Sequence, residues 1–313
     1  MSAKTHKLDE IKIVFAGLDN AGKTSFLIAL RQKYNFYERV KKLKPTIKID
    51  YSSFNFLNRY TVNFWDMGGQ AKYRKIYVNN PIYFTSTDYL YFLIDIQDEL
   101  KFEEAVRYLH ELLDIYRDKE MEYTREVLIC FNKYDPVFRE NEEFLDRIKM
   151  IRDLIISQNK DIKFKFFNMS YYDISSLSKA LAYSLSKLLN LEDINLTLER
   201  IVKDYDCNYA ILYTDSGLII SDFYQNVIDF RDFDKKICRI NESLEFFQRI
   251  TDEEVEIDEK LTFSEERSEY VKKYDIPSET GVSEYYLGIC APSNNLDTIK
   301  KELEEFQKYL QSM

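Results

Sequence analysis

The strongest constraint on this chain lies near its N-terminus. Ile11-Lys12-Ile13-Val14-Phe15-Ala16 is an apolar-rich run of strand character, and it passes directly into Gly17-Leu18-Asp19-Asn20-Ala21-Gly22-Lys23-Thr24. Phe26, Leu27 and Leu30 follow at helical spacing, so the order is strand, GxxxxGK[ST], helix. That order aims successive backbone N–H groups and a helix N-terminus at one anion. A Cβ at Gly17 or Gly22 is expected to block close approach of the anion. Lys23 is expected to neutralise β- and γ-phosphates and Thr24 to ligate Mg²⁺, with Gly17, Asp19, Asn20, Ala21, Gly22 and Ser25 completing the cradle. Glycine usage supports this: of seven glycines in 313 residues, four sit here and at Gly68-Gly69.

The second pair of glycines closes another motif. Val62-Asn63-Phe64-Trp65 reads as a strand ending in Asp66-Met67-Gly68-Gly69-Gln70. An acidic residue at such a strand end holds Mg²⁺ through water, the Gly69 N–H senses a γ-phosphate, and Gln70 orients the attacking water. Alone, Asp-Gly also suits an ordinary turn. Between the two motifs, Lys44-Pro45-Thr46 supplies a loop threonine that completes the Mg²⁺ shell only while the γ-phosphate is present. Gln70, Lys23 and Thr46 are thus the candidate catalytic residues, and Thr24, Thr46 and Asp66 the candidate metal ligands.

Further on, Val127-Leu128-Ile129-Cys130-Phe131 is a continuous apolar strand ending in Asn132-Lys133-Tyr134-Asp135. A carboxylate accepts two hydrogen bonds from the N1–H and N2–H₂ of guanine, a donor pair that adenine lacks, so Asp135 is expected to select GTP over ATP. Asn132 is expected to tie this loop to the first one, and the stem of Lys133 to lie over the base. NKxD is common by chance; its place at a strand end after the other motifs gives it weight. Phe164-Lys165-Phe166-Phe167-Asn168 is a further strand, leading to Ser170, whose backbone is expected at the guanine oxygen.

GLDNAGKTS, KPT, WDMGGQ and NKYD, in that order, resemble the Arf family of small GTPases over about residues 8–191. The apolar stripe Phe102, Ala105, Val106, Leu109, Leu112, Leu113, Tyr116 lies where that family has a core-facing helix. The resemblance implies an α/β P-loop G domain, with a mostly parallel sheet flanked by helices, binding GTP/GDP with Mg²⁺. It also implies slow GTP hydrolysis, an exchange factor and an activating protein. Two features depart from Arf. Ser2 stands where the family has its myristoylated Gly, and MSAKTHKLDE has no apolar face, so constitutive lipid anchoring is not expected. The stretch from Gln70 through Asn80-Pro81 is longer, which implies different partners for the second switch.

A G domain accounts for only part of 313 residues. Residues 192–313 carry 14 basic and 28 acidic side chains against 30 and 26 in residues 1–191, so the C-terminal part repels phosphate backbones and nucleic-acid binding is not expected. The longest apolar stretch, Tyr89 to Ile96, is interrupted by Asp95 and too short to span a bilayer; membrane contact is at most peripheral. Four scattered cysteines and no signal-type N-terminus point to the cytoplasm.

After residue 191 the pattern restarts. Leu198, Ile201, Val202, Tyr205 mark a helix; Tyr209 to Tyr213 and Leu218 to Ser221 read as strands joined at Asp215-Ser216-Gly217. A helix from about Phe233 to Ile250, one or two strands near Ser268 to Tyr274 and Tyr285 to Cys290, and a last helix carrying Ile299, Leu303, Phe306, Leu310 complete the order α-β-β-α-β-β-α. The run Asp252 to Glu259 reads as an exposed acidic loop, and the basic residues Arg39, Lys41, Lys42 and Lys44 as a solvated face or a contact for anionic partners. The element order resembles roadblock or longin domains, and the whole chain the Rag family of GTPases. That implies a switch in signalling or membrane trafficking that forms a homo- or heterodimer through residues 192–313. The competing reading is a non-hydrolysing GTP-binding scaffold whose C-terminal domain assembles a complex.

Overall fold

The computed structural model describes residues 9–31, 43–56, 60–117, 126–172, 174–188, 192–215, 217, 219–226, 230–253, 255–263, 266–278 and 281–312. Residues 1–8 and 189–191, together with Arg39, Lys41, Lys42, Ser216 and Leu218, lie outside them. The chain divides into two compact units, one reaching to Leu177 and the other resuming at Ser178.

In the first unit the described elements run β1 (Asp9–Gly17), α1 (Lys23–Arg31), β2 (Ile49–Phe56), β3 (Tyr60–Met67), α2 (Ala71–Val78), β4 (Tyr89–Asp95), α3 (Phe102–Arg117), β5 (Val127–Asn132), α4 (Glu142–Gln158) and β6 (Phe164–Asn168). α5 (Ile174–Leu188) spans the division between the two units. The six strands form one sheet in the order β2-β3-β1-β4-β5-β6, parallel throughout except for the antiparallel β2–β3 pair.

β4 and β5 are buried at almost every position, as strands covered on both faces must be. α3 packs Phe102, Ala105, Val106, Leu109, Leu112 and Leu113 into the main core, its first turn carrying Glu103 and Glu104 where the helix dipole favours acid. The sheet order reverses at β1, which has β3 on one side and β4 on the other. Ligands of open parallel sheets bind beyond the carboxyl ends of the strands at such a point. Gly17, Asp66, Asp95 and Asn132 all stand at or beside those ends.

The second unit contains α6 (Glu192–Asp204), β7 (Tyr209–Thr214), β8 (Ile219–Tyr224), α7 (Phe230–Asp252), β9 (Glu259–Thr262), β10 (Arg267–Ser278), β11 (Gly281–Pro292) and α8 (Leu296–Ser312). Its sheet is antiparallel throughout, ordered β8-β7-β11-β10-β9. α7 covers one face, where Phe247 packs on Tyr286 at 5.2 Å; α8 covers the other, where Phe306 meets Tyr274 at 5.9 Å.

Three expectations need correcting here. A third strand, β9, follows α7, so the order is α-β-β-α-β-β-β-α. The acidic run is not all loop: α7 extends through Asp252, and Glu259 opens β9, where Lys272 and Lys300 pair with it. β10 and β11 are also longer than their apolar centres suggested, each spanning 12 residues. Among the described residues no helix is long and apolar enough to cross a membrane.

Candidate functional site

The loop from Gly17 to Lys23 leaves β1 and turns into α1 through three residues with positive φ: Gly17 (141°), Asn20 (64°) and Gly22 (87°). Packing within the protein itself requires both glycines. A Cβ on Gly17 would collide with the Leu93 carbonyl of β4, and one on Gly22 with the Asn132 side-chain amide. Both are contacts within the protein. They bring the loop close enough to β4 and β5 for the motifs to share one site.

Lys23 is 5% exposed and folds back over the loop, donating to Leu18 O at 2.7 Å and Gly17 O at 3.1 Å. Burial lowers its pKa to about 8, against the opposing pull of Asp66 and Asp19. A desolvated ammonium at the mouth of an amide-lined loop gains most from an anion. Asp19 itself is exposed and meets Lys101 at 3.4 Å. Ser25 is partly buried in the first turn of α1.

The three predicted metal ligands converge. Thr24 Oγ1 donates to Asp66 Oδ2 at 2.5 Å and lies 2.8 Å from Thr46 Oγ1, which is 3.3 Å from the same carboxylate oxygen. Asp66 Oδ1 is buried and has no hydrogen-bond partner among the described residues. Burial raises the pKa of Asp66, while Lys23, Thr24 and Thr46 hold it down. A buried carboxylate with one oxygen unsatisfied and two hydroxyls beside it is costly unless a cation completes it. The all-oxygen donor set suits a hard divalent ion such as Mg²⁺.

The strand-end segments hold each other in place. Asp19 N–H donates to Gly69 O at 3.1 Å, so the two glycine motifs meet through the Gly69 carbonyl. Gly68 N–H donates to Lys48 O at 2.7 Å and Tyr77 Oη to the same oxygen at 2.6 Å, which pins the segment carrying Thr46 to α2 and the end of β3. Gln70 is the N-cap residue of α2, its carbonyl accepting from Tyr73 and Arg74. Arg74, one turn further, binds Glu104 of α3 and lies over the Tyr108 ring.

At the other end of the site Asn132 Nδ2 donates to Ala21 O at 2.8 Å. Lys133, at φ 62°, sends its ammonium to Asp95 Oδ2 at 2.5 Å. Asp135 Oδ1 accepts from Ser170 Oγ at 2.5 Å and Oδ2 from Gln97 Nε2 at 3.0 Å. The N–H of Ser170 donates to Ser176 Oγ at 3.1 Å, and its hydroxyl adds a contact that the motif did not suggest, holding Asp135. Sequence reasoning passed over Gln97, Asp95, Arg74 and Ser176. Asp95 had a signal, as the one charge interrupting an apolar strand; the others had none.

The sheet order, the loop at its reversal point and the convergent threonines and aspartate define an α/β P-loop GTPase fold. Over residues 1–186 the chain matches the ADP-ribosylation factor family, and it belongs to that family. It is 35% identical over 146 residues to ADP-ribosylation factor-like protein 3 of Caenorhabditis elegans, covering 47% of this chain and 72% of that protein. It is 28% identical over 184 residues to ADP-ribosylation factor-like protein alp41 of Schizosaccharomyces pombe, covering 58% and 89%. Among solved structures, it is similar to the Arl6 BBS3 small GTPase of Trypanosoma brucei with bound nucleotide analogue GppNp, at 19% identity and TM-score 0.45, covering 57% of this chain and 96% of that one. Arf-family proteins are nucleotide-dependent switches and GTP hydrolases.

Proposed function

We propose that this chain is a Mg²⁺-dependent guanine-nucleotide switch with slow intrinsic GTP hydrolysis, whose residues 192–313 form a roadblock- or longin-like partner-binding domain. The observation that carries the reading is the convergence of Thr24, Thr46 and Asp66 beside a buried Lys23. Thr24, Thr46 and Asp66 would hold the ion, which supplies charge neutralisation between the phosphates. Lys23 binds the β- and γ-phosphates, replacing its bonds to Gly17 O and Leu18 O. Thr46 belongs to a segment held through Lys48 O and through its hydroxyl at the site, so loss of the terminal phosphate loosens it; that is the switch. Gln70, at the start of α2, orients the attacking water. Asp135 reads the N1–H and N2–H₂ of guanine, and the stem of Lys133 lies over the base.

For the second unit, one antiparallel sheet with helices on both faces supports a roadblock- or longin-like assignment. Its role is dimerisation or recruitment, checked by light scattering of the full chain in GDP and GTP-analogue states. Single-turnover GTP hydrolysis tests the catalytic part. The expected rate is on the order of minutes or slower, reduced further by Gln70→Leu. Equal, negligible rates for both proteins with tight GTP binding would favour the scaffold reading instead.

A further inference from the structure

Beyond the end of β4 the chain crosses toward the loop of Asn132 to Asp135. There Gln97 N–H donates to Asp95 Oδ1 at 3.0 Å, which fixes its own backbone. Its side-chain Nε2 donates twice, to Lys133 O at 2.8 Å and to Asp135 Oδ2 at 3.0 Å. Ser170 holds the other oxygen of Asp135 at 2.5 Å.

A carboxylate offers about four acceptor positions, two on each oxygen. Gln97 and Ser170 take one on each. What remains is one acceptor position on each oxygen, in a carboxylate held by donors on both. That pair matches the two adjacent donors on the guanine edge. Bidentate recognition depends on orientation as much as on charge, and an aspartate without these supports would sample rotamers that present one oxygen only.

We propose that Gln97 is a specificity-determining positioning residue: by bridging Lys133 O and Asp135 Oδ2 it orients the carboxylate that discriminates guanine from bases lacking one of the two donors. It acts through Asp135 and forms no contact with the base. This rests on the guanine-nucleotide reading above. Gln97 lies on the surface and contributes nothing to the core, so its replacement leaves the fold intact.

The test is a competition measurement of GDP and IDP affinity in Mg²⁺ for the full chain, for Gln97→Ala and for Gln97→Glu. IDP retains the N1–H but lacks the 2-amino group. The wild-type protein prefers GDP; if it does not, the guanine reading fails independently of Gln97. In Gln97→Ala, GDP affinity falls roughly tenfold, as for loss of a hydrogen bond to a charged group, and IDP affinity falls less, so the GDP/IDP ratio shrinks. Gln97→Glu has the same size but no donor and sets a like charge against Asp135, and it shrinks the ratio at least as far. A ratio unchanged in both variants would overturn the proposal, since a merely structural role weakens the two nucleotides equally. Tighter GDP binding by Gln97→Ala would also overturn it, by showing that the amide competes with the base.

Discussion

Asn132 and Ala21, 111 residues apart in sequence, are joined by a buried 2.8 Å hydrogen bond from the asparagine amide to the alanine carbonyl. The bond ties the base-reading loop to the phosphate loop, and it exists because Gly22 has no Cβ to exclude the amide.

Asn132→Ala leaves the Ala21 carbonyl buried and unpaired, at a cost of about 1–3 kcal/mol, and nucleotide affinity is expected to fall with it. Gly22→Ala is destabilising through both its collision with Asn132 and its φ of 87°. In the double mutant the collision disappears while the backbone strain stays. A double-mutant cycle by chemical denaturation is therefore expected to show a smaller loss than the sum of the two; strict additivity would mean the two residues do not meet. Gly17→Ala has no such remedy, because the atom it strikes is the backbone oxygen of Leu93.

Lys12 sets a pH dependence. Its ammonium lies 3.6 Å from the Trp65 ring centroid and donates to Tyr83 O and Thr85 O, and burial lowers its pKa from 10.5 to about 8 against the attraction of Asp88. With the folded pKa below the unfolded one, the unfolded chain binds more protons between about pH 8 and 10.5, and stability from this group rises with pH across that window. The urea midpoint of the wild type minus that of Lys12→Met is expected to climb from pH 8 to pH 10. A flat or falling difference would place the ammonium in water.

Arg74 couples α2 to α3 through Glu104 and Tyr108, and its Nε is buried with no partner among the described residues. Arg74→Ala is expected to cost about 1–2 kcal/mol through lost packing and the lost charged bond, and to loosen the helix that Gln70 caps. Hydrogen exchange of amides 71–78 reads this directly; protection as in the wild type would show that the pair has no hold on α2.

Much of this site is legible in the sequence because its parts stand at the ends of doubly buried strands. β4 and β5 are continuous apolar runs, so the polar residue at each carboxyl end is conspicuous, and β1, though interrupted by Lys12, runs straight into the glycine motif. β2 was not read: it is an edge strand in which Ser52, Ser53 and Asn55 break the alternation and Tyr51 is exposed. α4 was obscured by apolar residues on every side, with Phe144, Ile151 and Ile155 buried while Met150, Leu154 and Ile156 face outward. β9 is a four-residue strand laid against β10, with Glu259 meeting Lys272 of β10 and Lys300 of α8, contacts that only the folded unit creates. Gln97 was invisible for the same reason, its partners lying 36 and 38 residues away.

The central claim is that Lys23, Thr24, Thr46 and Asp66 close around the phosphates of a guanine nucleotide together with Mg²⁺. Titration of the purified full chain with a fluorescent GDP analogue, with Mg²⁺ and then with EDTA, tests it most directly. Tight binding that weakens by orders of magnitude when the ion is removed, and that Thr24→Ala reduces in Mg²⁺ alone, is the predicted result. Failure to retain GDP or GTP in Mg²⁺, or affinity indifferent to both the ion and Thr24, would contradict it.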